Sequence, residues 1–274
     1  VPLYLLAILA VVQGITEFLP ISSSGHLVIT WKAFDALGYT GMEQTAEARL
    51  DLDIAVHVGT LAAVCLYLAG DLWRMLLGAV MPRNAKGRAG RRLIGHVILA
   101  SIPVVVVGYY LKDSISPQLR SLEVIAWATI GFGVLLYIAD RFALRVRRVQ
   151  DMNLSQALII GLAQVLALIP GTSRAGITMT AARMLGYERT EAARFSLLLA
   201  IPAISGAGVL VGHDLYQTGN LSLGIDAAIA AGLSFITALI AIALMMRWLR
   251  HASFGPFAVY RVFLGAVLLW FVYQ

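Results

Sequence analysis

The chain has 274 residues, of which 59% are hydrophobic and only 13% charged, with a mean hydropathy of +0.82. A soluble domain of this size needs more charged surface, so the composition excludes an ordinary globular enzyme and points to an integral membrane protein. The net charge of +6 is no nucleic-acid signal, because the basic residues fall in loops beside apolar segments as the positive-inside rule requires, and a single cysteine, Cys65, excludes an internal disulfide or a cysteine metal cluster.

Residues 1–12 are apolar but carry no basic leader, and they run directly into the polar stretch "EFLPISSSGH", Glu17 to His26, so no cleaved signal is expected. A membrane-spanning helix needs about 20 mostly apolar residues. In chain order, 52–70, 93–111, 122–139, 192–212, 225–246 and 255–273 meet that need. Two further apolar regions, 3–37 and 154–186, are broken near the middle, one by Pro20 with Ser22, Ser23 and Ser24, the other by Pro170 and Gly171 with Thr172, Ser173 and Arg174. Backbone that leaves the helix at membrane depth must be buried in protein or line a wet cavity. Both regions therefore read as re-entrant helix–loop–helix hairpins that enter and exit on one side.

Loop charge sets the expected orientation. Residues 71–92 carry six basic groups against Asp71, 141–151 carry four against Asp151, and 247–251 add Arg247 and Arg250. By contrast 35–51 is net −3, and 213–226 holds Asp214 and Asp226. Placing the basic loops in the cytoplasm gives about six crossings, puts both termini outside, and opens the first hairpin to the outer side and the second to the cytoplasm. Loop 112–121, at net +1, is then outside against the rule.

"VVQGITEFLPISSSG" at 11–25 resembles "LAQVLALIPGTSRAG" at 162–176: both run Gln, apolar turn, Pro, hydroxyl cluster, Gly. Each is followed at a comparable distance by a crossing. The fold class expected is an all-α integral membrane protein, one domain over 1–274, with halves 1–140 and 151–274 forming an inverted-topology repeat. In such proteins the site forms near mid-membrane where the broken helices meet.

Two constellations sit at the breaks. Gln13 and Glu17 are four residues apart and share a helix face, with Ser22, Ser23, Ser24 and His26 following. An acidic side chain at membrane depth costs roughly 2.5–3.5 kcal/mol on insertion scales, so it is kept only when paired or working, and Glu17 suits a proton acceptor. In "PGTSRAGIT", Pro170 ends a helix, Gly171 permits a tight turn, and Thr172 or Ser173 caps the next helix, leaving Arg174 in its first turn. A cation there opposes the helix dipole. A bound phosphate offsets it through the backbone amides from Gly171 to Gly176, the hydroxyls and the guanidinium fork. A structural ion pair between Arg174 and Glu17 is the alternative, and the two roles are compatible. Asp53 with His57 reads as an ordinary pair on one face, Arg194 and Ser196 as residues at a helix entrance, and Arg261 as snorkelling or internally paired. Zinc motifs are absent, while a hard cation such as Mg²⁺ or Ca²⁺ bridging Glu17 and phosphate oxygens is compatible with the carboxylate.

"QGITEFLPISSSGH" and "PGTSRAGIT" resemble the two signature motifs of the undecaprenyl-diphosphate phosphatase family, also called the bacitracin-resistance protein family, and the resemblance extends over essentially the whole chain, including "FGPFAVYR". It implies hydrolysis of a C55-polyprenyl diphosphate to the monophosphate, which recycles the cell-wall lipid carrier of a bacterial cytoplasmic membrane. By the same resemblance Glu17 takes the second position of an acidic pair, and Ser22, Ser23, His26, Ser173, Arg174 and Thr178 match the remaining polar motif residues. Gln13 stands where many members have glutamate, which puts a two-carboxylate cation site in doubt, and Ala175 replaces a common serine. A different lipid-phosphatase family with the motifs PSGH and SRx5Hx3D is a poor match, since its histidine would fall at Thr180 and its aspartate at Met184.

The expected chemistry is phosphoanhydride hydrolysis. Arg174 and the amides near Gly171–Gly176 clamp the diphosphate, Glu17 is the base, Ser23 is the candidate nucleophile, and His26 orients it or shuttles its proton, with water or His26 as alternative nucleophiles. Gln13, Ser22, Thr172 and Ser173 are expected at the substrate; no organic cofactor is expected. The partners are the lipid diphosphate and the membrane, with a homodimer allowed. The site is expected to face the outer side. A polyprenyl-phosphate carrier and a non-catalytic lipid scaffold are the rival functions.

Overall fold

The computed structural model describes residues 2–38, 46–81, 85–111, 121–218 and 221–274, and excludes the side chains of 46–51, 85–86, 207–218 and 221–224. These residues form α1 (Leu3–Thr16), α2 (Ser23–Ala36), α3 (Ala46–Tyr67), α4 (Ala69–Val80), α5 (Ala85–Leu111), α6 (Leu122–Phe142), α7 (Leu154–Val165), α8 (Arg174–Met184), α9 (Arg189–Thr218), α10 (Leu221–Leu249) and α11 (Gly255–Val272). No strand occurs among the described residues. The chain is an all-α, multi-pass membrane protein.

Among the described residues four helices are long and apolar enough to cross a membrane, Gly87–Leu111, Leu122–Phe142, Ile225–Leu249 and Gly255–Val272, and the pair Leu52–Tyr67 with Ala69–Val80 makes a fifth if taken as one bent span. That pair corrects the straight crossing expected at 52–70. The chain turns by 77° at Leu68, whose backbone leaves helical geometry. Asp71 in the first turn of α4 is buried and binds the Arg194 guanidinium on α9 at 2.8 Å, which draws the segment out of line. The helix expected at 93–111 starts earlier, at Ala85. The crossing expected at 192–212 lies in α9 and runs into residues whose side chains are outside the description. The loops 35–51, 112–121 and 213–226, and part of the basic loop 71–92, also lie at least partly outside the described residues.

Both broken segments are helix–break–helix units with the expected limits. α1 ends at Thr16, four residues before Pro20, and α7 ends at Val165, followed by a 3₁₀ turn over Leu166–Leu168 before Pro170. A proline ring clashes with the carbonyl four residues back and supplies no N–H, so Pro20 and Pro170 stop the α-helices at Thr16 and Val165. α1 packs on α2 and α10; α7 packs on α8 and α5; α3 packs on α9 and α10, and α6 on α11. Gly14 permits the α1–α10 approach, since a Cβ there would fall on Thr237, and Gly161 permits α7–α5, since its Cβ would come within 2.5 Å of the Ala100 carbonyl. The largest buried cluster spans α3, α5, α7, α8, α9 and α10, with Phe18 of the first break fully enclosed in it.

One side chain ties the two breaks together. Arg261 on α11 is fully buried, and its guanidinium donates to the carbonyls of Pro20 (3.3 Å), Gly171 (2.9 Å), Thr172 (2.9 Å) and Thr129 (3.1 Å). Carbonyls that leave a helix at membrane depth have no water to turn to, so a five-donor fork is the economical partner. Arg261→Met leaves those carbonyls unpaired and is expected to lower stability by about 3–5 kcal/mol, read as a drop in the thermal midpoint of the detergent-purified protein, with Arg261→Lys recovering part of the loss.

Candidate active site

The two breaks end in helix starts built alike. Ser22 caps α2 with φ +75° and accepts from the Gly25 N–H at 3.4 Å; Ser173 caps α8 with φ +68° and accepts from the Gly176 N–H at 3.1 Å. They are the two non-glycine residues with positive φ among those described. Left-handed backbone on an L-residue is a strained state, held here because the hydroxyl satisfies an orphan N–H at the helix start. One residue on stand Ser23 and Arg174, each the first residue of its helix. The same 151-residue offset relates Gln13 to Gln164, Ser22 to Ser173, Ser23 to Arg174 and Gly25 to Gly176.

Glu17, in the first break, is where both starts converge. Its Oε2 accepts from Ser23 Oγ at 2.7 Å and from Gln13 Nε2 at 2.9 Å; its Oε1 accepts from Arg174 Nη2 at 3.0 Å. The ion pair has side-chain exposures of 15% for Arg174 and 6% for Glu17, so it lies inside the protein. The second Arg174 nitrogen, Nη1, donates to the Ser196 carbonyl on α9 at 3.1 Å. The pair offered as the alternative role of Arg174 is therefore present, and it places carboxylate, hydroxyl and guanidinium in one group.

Other expected residues are distributed differently. His26 Nδ1 faces the Ser22 carbonyl at 2.7 Å and so carries the hydrogen, which leaves Nε2 to accept from the Tyr260 hydroxyl at 2.6 Å. Both ring nitrogens of His26 are thus engaged away from Ser23, whose hydroxyl meets Glu17 instead. Thr178 is buried and donates to Ser196 Oγ at 2.7 Å, holding α8 on α9 rather than facing the Arg174 fork. Gly171 has φ +93° and its carbonyl is held by Arg261 and, at 3.3 Å, by Thr129 Oγ1; a Cβ there would strike the Ile125 carbonyl. A Cβ on Gly176 would come within 2.7 Å of Arg261 Nη1. Thr172 is fully buried, and its Oγ1 has no hydrogen-bond partner among the described residues.

Sequence reasoning missed two contacts. His57 reads along the chain as paired with Asp53, yet its Nδ1 meets the Asp53 backbone carbonyl at 2.5 Å, the Asp53 carboxylate accepts from Trp31 Nε1 at 2.8 Å, and His57 Nε2 stands 3.6 Å from Glu17 Oε2. Of the two roles expected for Arg261, it takes internal pairing rather than snorkelling; what the sequence did not show is that its partners are the carbonyls of both breaks. The signal for Arg261 was a charge inside an apolar 18-residue helix, which by itself marks an internal partner.

The donors around Glu17 bear on a metal. An amide NH₂, a hydroxyl and a guanidinium point at its oxygens, and no cluster of three His, Cys, Asp or Glu occurs among the described residues. Gln13 Oε1, buried and without a partner, is the one oxygen beside it that no donor occupies. One neutral oxygen next to a guanidinium does not make a seat for a hard cation, which takes several oxygens and at least one carboxylate to itself. The expectation of Glu17 as a metal ligand does not fit this geometry, and Glu17 is instead the acceptor of three donors.

Beside the first break, Ile15 and Leu19 join Thr237, Ile240, Leu244, Met245, Trp248 and Phe257 in lining an apolar cavity of about 510 Å³ between α1, α10 and α11. Position φ and cap chemistry together predict an unusual order for the helix starts. Ser173→Ala loses the cap and keeps the strained Cβ, while Ser173→Gly loses the cap but relieves the strain, so the alanine variant is expected to be less stable than the glycine variant by about 1–2 kcal/mol in thermal unfolding, and Ser22 is expected to behave the same way.

The geometry can be set beside known proteins. The family model described as "Bacitracin resistance protein BacA" matches residues 6–267. The chain is 47% identical over 276 residues to an "Undecaprenyl-diphosphatase" of Ruegeria pomeroyi, covering 99% of both chains. It is 46% identical to "Undecaprenyl-diphosphatase 1" of Rhodospirillum rubrum, covering 98% of this chain and 94% of that one, and 44% identical to an "Undecaprenyl-diphosphatase" of Alteromonas mediterranea, covering 99% of each. With the match running from α1 through both breaks and into α11, the chain belongs to the bacitracin resistance protein BacA family.

Proposed function

We propose that this protein hydrolyses undecaprenyl diphosphate to undecaprenyl phosphate and inorganic phosphate, the activity named for its relatives, and so confers resistance to bacitracin. The observation that carries the reading is the contact of Ser23, Glu17 and Arg174 across the two breaks. Ser23 Oγ attacks the terminal phosphorus, its proton passes to Glu17 Oε2, and the bridging P–O bond breaks to release the lipid monophosphate. Water then hydrolyses the phosphoserine and returns the hydroxyl. The leaving group is a phosphate monoester whose second pKa is about 6, so it departs with little help from an acid. Arg174 exchanges Glu17 for the diphosphate oxygens, which frees the carboxylate to act as base while the guanidinium and the amides at the start of α8 stabilise the transferring phosphoryl group. Gln13 holds Glu17, and Ser22 and Ser173 aim the two helix starts at the headgroup. With the Glu17 oxygens taken up by three donors, a Mg²⁺ or Ca²⁺ ion would have to be supplied with the diphosphate. Thr172, with its unpartnered hydroxyl, is a candidate donor to substrate.

The apolar cavity, lined in part by Ile15 and by Leu19 of the first break, supports a lipid tail lying beside the headgroup site. The matched 151-residue offset and the corresponding partners of the breaks, α1 on α10 and α7 on α5, support an inverted repeat within one domain of 1–274. Loop charge then favours a site reached from the outer side of a bacterial cytoplasmic membrane, with both termini outside.

In detergent the purified protein is expected to release inorganic phosphate without a sealed compartment, whereas a carrier would not. Glu17→Gln, Ser23→Ala and Arg174→Ala should each lower kcat by about 10²-fold or more, and a phosphoserine trapped from wild type but not from Ser23→Ala identifies the nucleophile; full activity of Ser23→Ala assigns the attack to water. Orientation is checked separately: with Cys65 replaced, a single cysteine placed in 35–51 should react with an impermeant thiol reagent added outside, and labelling from the cytoplasm alone overturns the topology.

A further inference from the structure

We propose that His57 is the proton store of the site, taking from Glu17 the proton that Ser23 gives up and returning it in the second half of the reaction; the proposal rests on the phosphatase reading above. The argument starts from donors and acceptors. A carbonyl oxygen only accepts, so the 2.5 Å contact between His57 Nδ1 and the Asp53 carbonyl puts the ring hydrogen on Nδ1. In the neutral ring Nε2 is then a bare lone pair, and it points at Glu17 Oε2 from 3.6 Å. That separation is too long for a hydrogen bond, as two lone pairs facing each other require. Oε2 is also the oxygen that takes the Ser23 hydroxyl at 2.7 Å. A proton arriving on Oε2 changes the facing pair from two lone pairs to a donor and an acceptor, and moving it on to Nε2 gives an imidazolium beside a carboxylate.

The step balances. When the Ser23 O–P bond forms and the bridging P–O bond breaks, the hydroxyl proton crosses Glu17 to His57 Nε2. When water forms its bond to phosphorus and the Ser23 O–P bond breaks, the stored proton returns through Glu17 to Ser23 Oγ, and the proton lost by water leaves with phosphate. Glu17 is thereby a carboxylate at the start of both halves, which a lone glutamate without a second acceptor is not. The charged and titratable groups facing the pair are Glu17 itself at the end of α1, Asp53 one turn back on α3, and Arg174 from α8 on the other carboxylate oxygen. Neutral polar neighbours are Gln13 from α1, Ser23 and Trp31 from α2, Ser196 from α9 at the Arg174 guanidinium, and Ser234 from α10 at the Val56 carbonyl. His57 acts through Glu17 and is a positioning residue.

The test is steady-state phosphate release in detergent from undecaprenyl diphosphate by wild type, His57→Gln and His57→Ala. Glutamine can still donate to Glu17 but takes no proton. His57→Gln is expected to lower kcat by about tenfold or more with KM within about twofold. Added imidazole is expected to restore part of the kcat of His57→Ala. Unchanged kcat in both variants overturns the proposal. So does a fall in kcat with no imidazole rescue of His57→Ala, which marks a packing role. If His57→Gln fails to fold, His57→Ala with and without imidazole decides alone. Failure of wild type to release phosphate counts against the phosphatase reading instead.

Discussion

The structure depends on one contact between segments 157 residues apart, the 3.0 Å pairing of Arg174 with Glu17. Neither charge is tolerable alone at membrane depth, where an unpaired ion costs several kcal/mol. Each is made tolerable by the other, and so the two broken segments must meet. Their meeting brings a hydroxyl, a carboxylate and a guanidinium within hydrogen-bonding reach. The pair is also poised to be exchanged: a diphosphate is a better partner for a guanidinium fork than one carboxylate oxygen, and a carboxylate released from its cation is a stronger proton acceptor.

Such a contact requires backbone that has left the helix, and the cost of that backbone is carried mainly by Arg261. Its fork satisfies carbonyls of both breaks and of α6, so one side chain on the last helix supports the geometry of Ser23 and Arg174 without touching either. The prolines decide where the helices stop, the left-handed serines decide how the next helices start, and Arg261 decides that both irregular stretches share one interior. A second buried cluster, Arg183 and Arg189 on the Asp140 carboxylate with the Phe254 N–H, anchors the far end of α8 to α6 and α11 in the same manner.

The sequence by itself determined a good deal. Apolar runs of span length, Pro20 and Pro170 with their hydroxyl clusters, and the alternation of basic and acidic loops were enough for an all-α membrane protein with two broken segments, and the long motifs were enough for the family. They also selected Glu17, Ser23 and Arg174, because charge and hydroxyl in apolar surroundings are costly and therefore informative. What only the tertiary structure decided was which partner each polar group uses. The bend at Leu68 depends on an Asp71–Arg194 bond between α4 and α9, which no local pattern encodes. His26 turned to Tyr260 on α11, Thr178 to Ser196 on α9, and His57 from its neighbour Asp53 to Glu17. The physical reason is range. Helix period and proline sterics act over a few residues and can be read along the chain, whereas a buried hydrogen bond is chosen among all groups that folding brings within about 3 Å, and that choice exists only once the helices have packed.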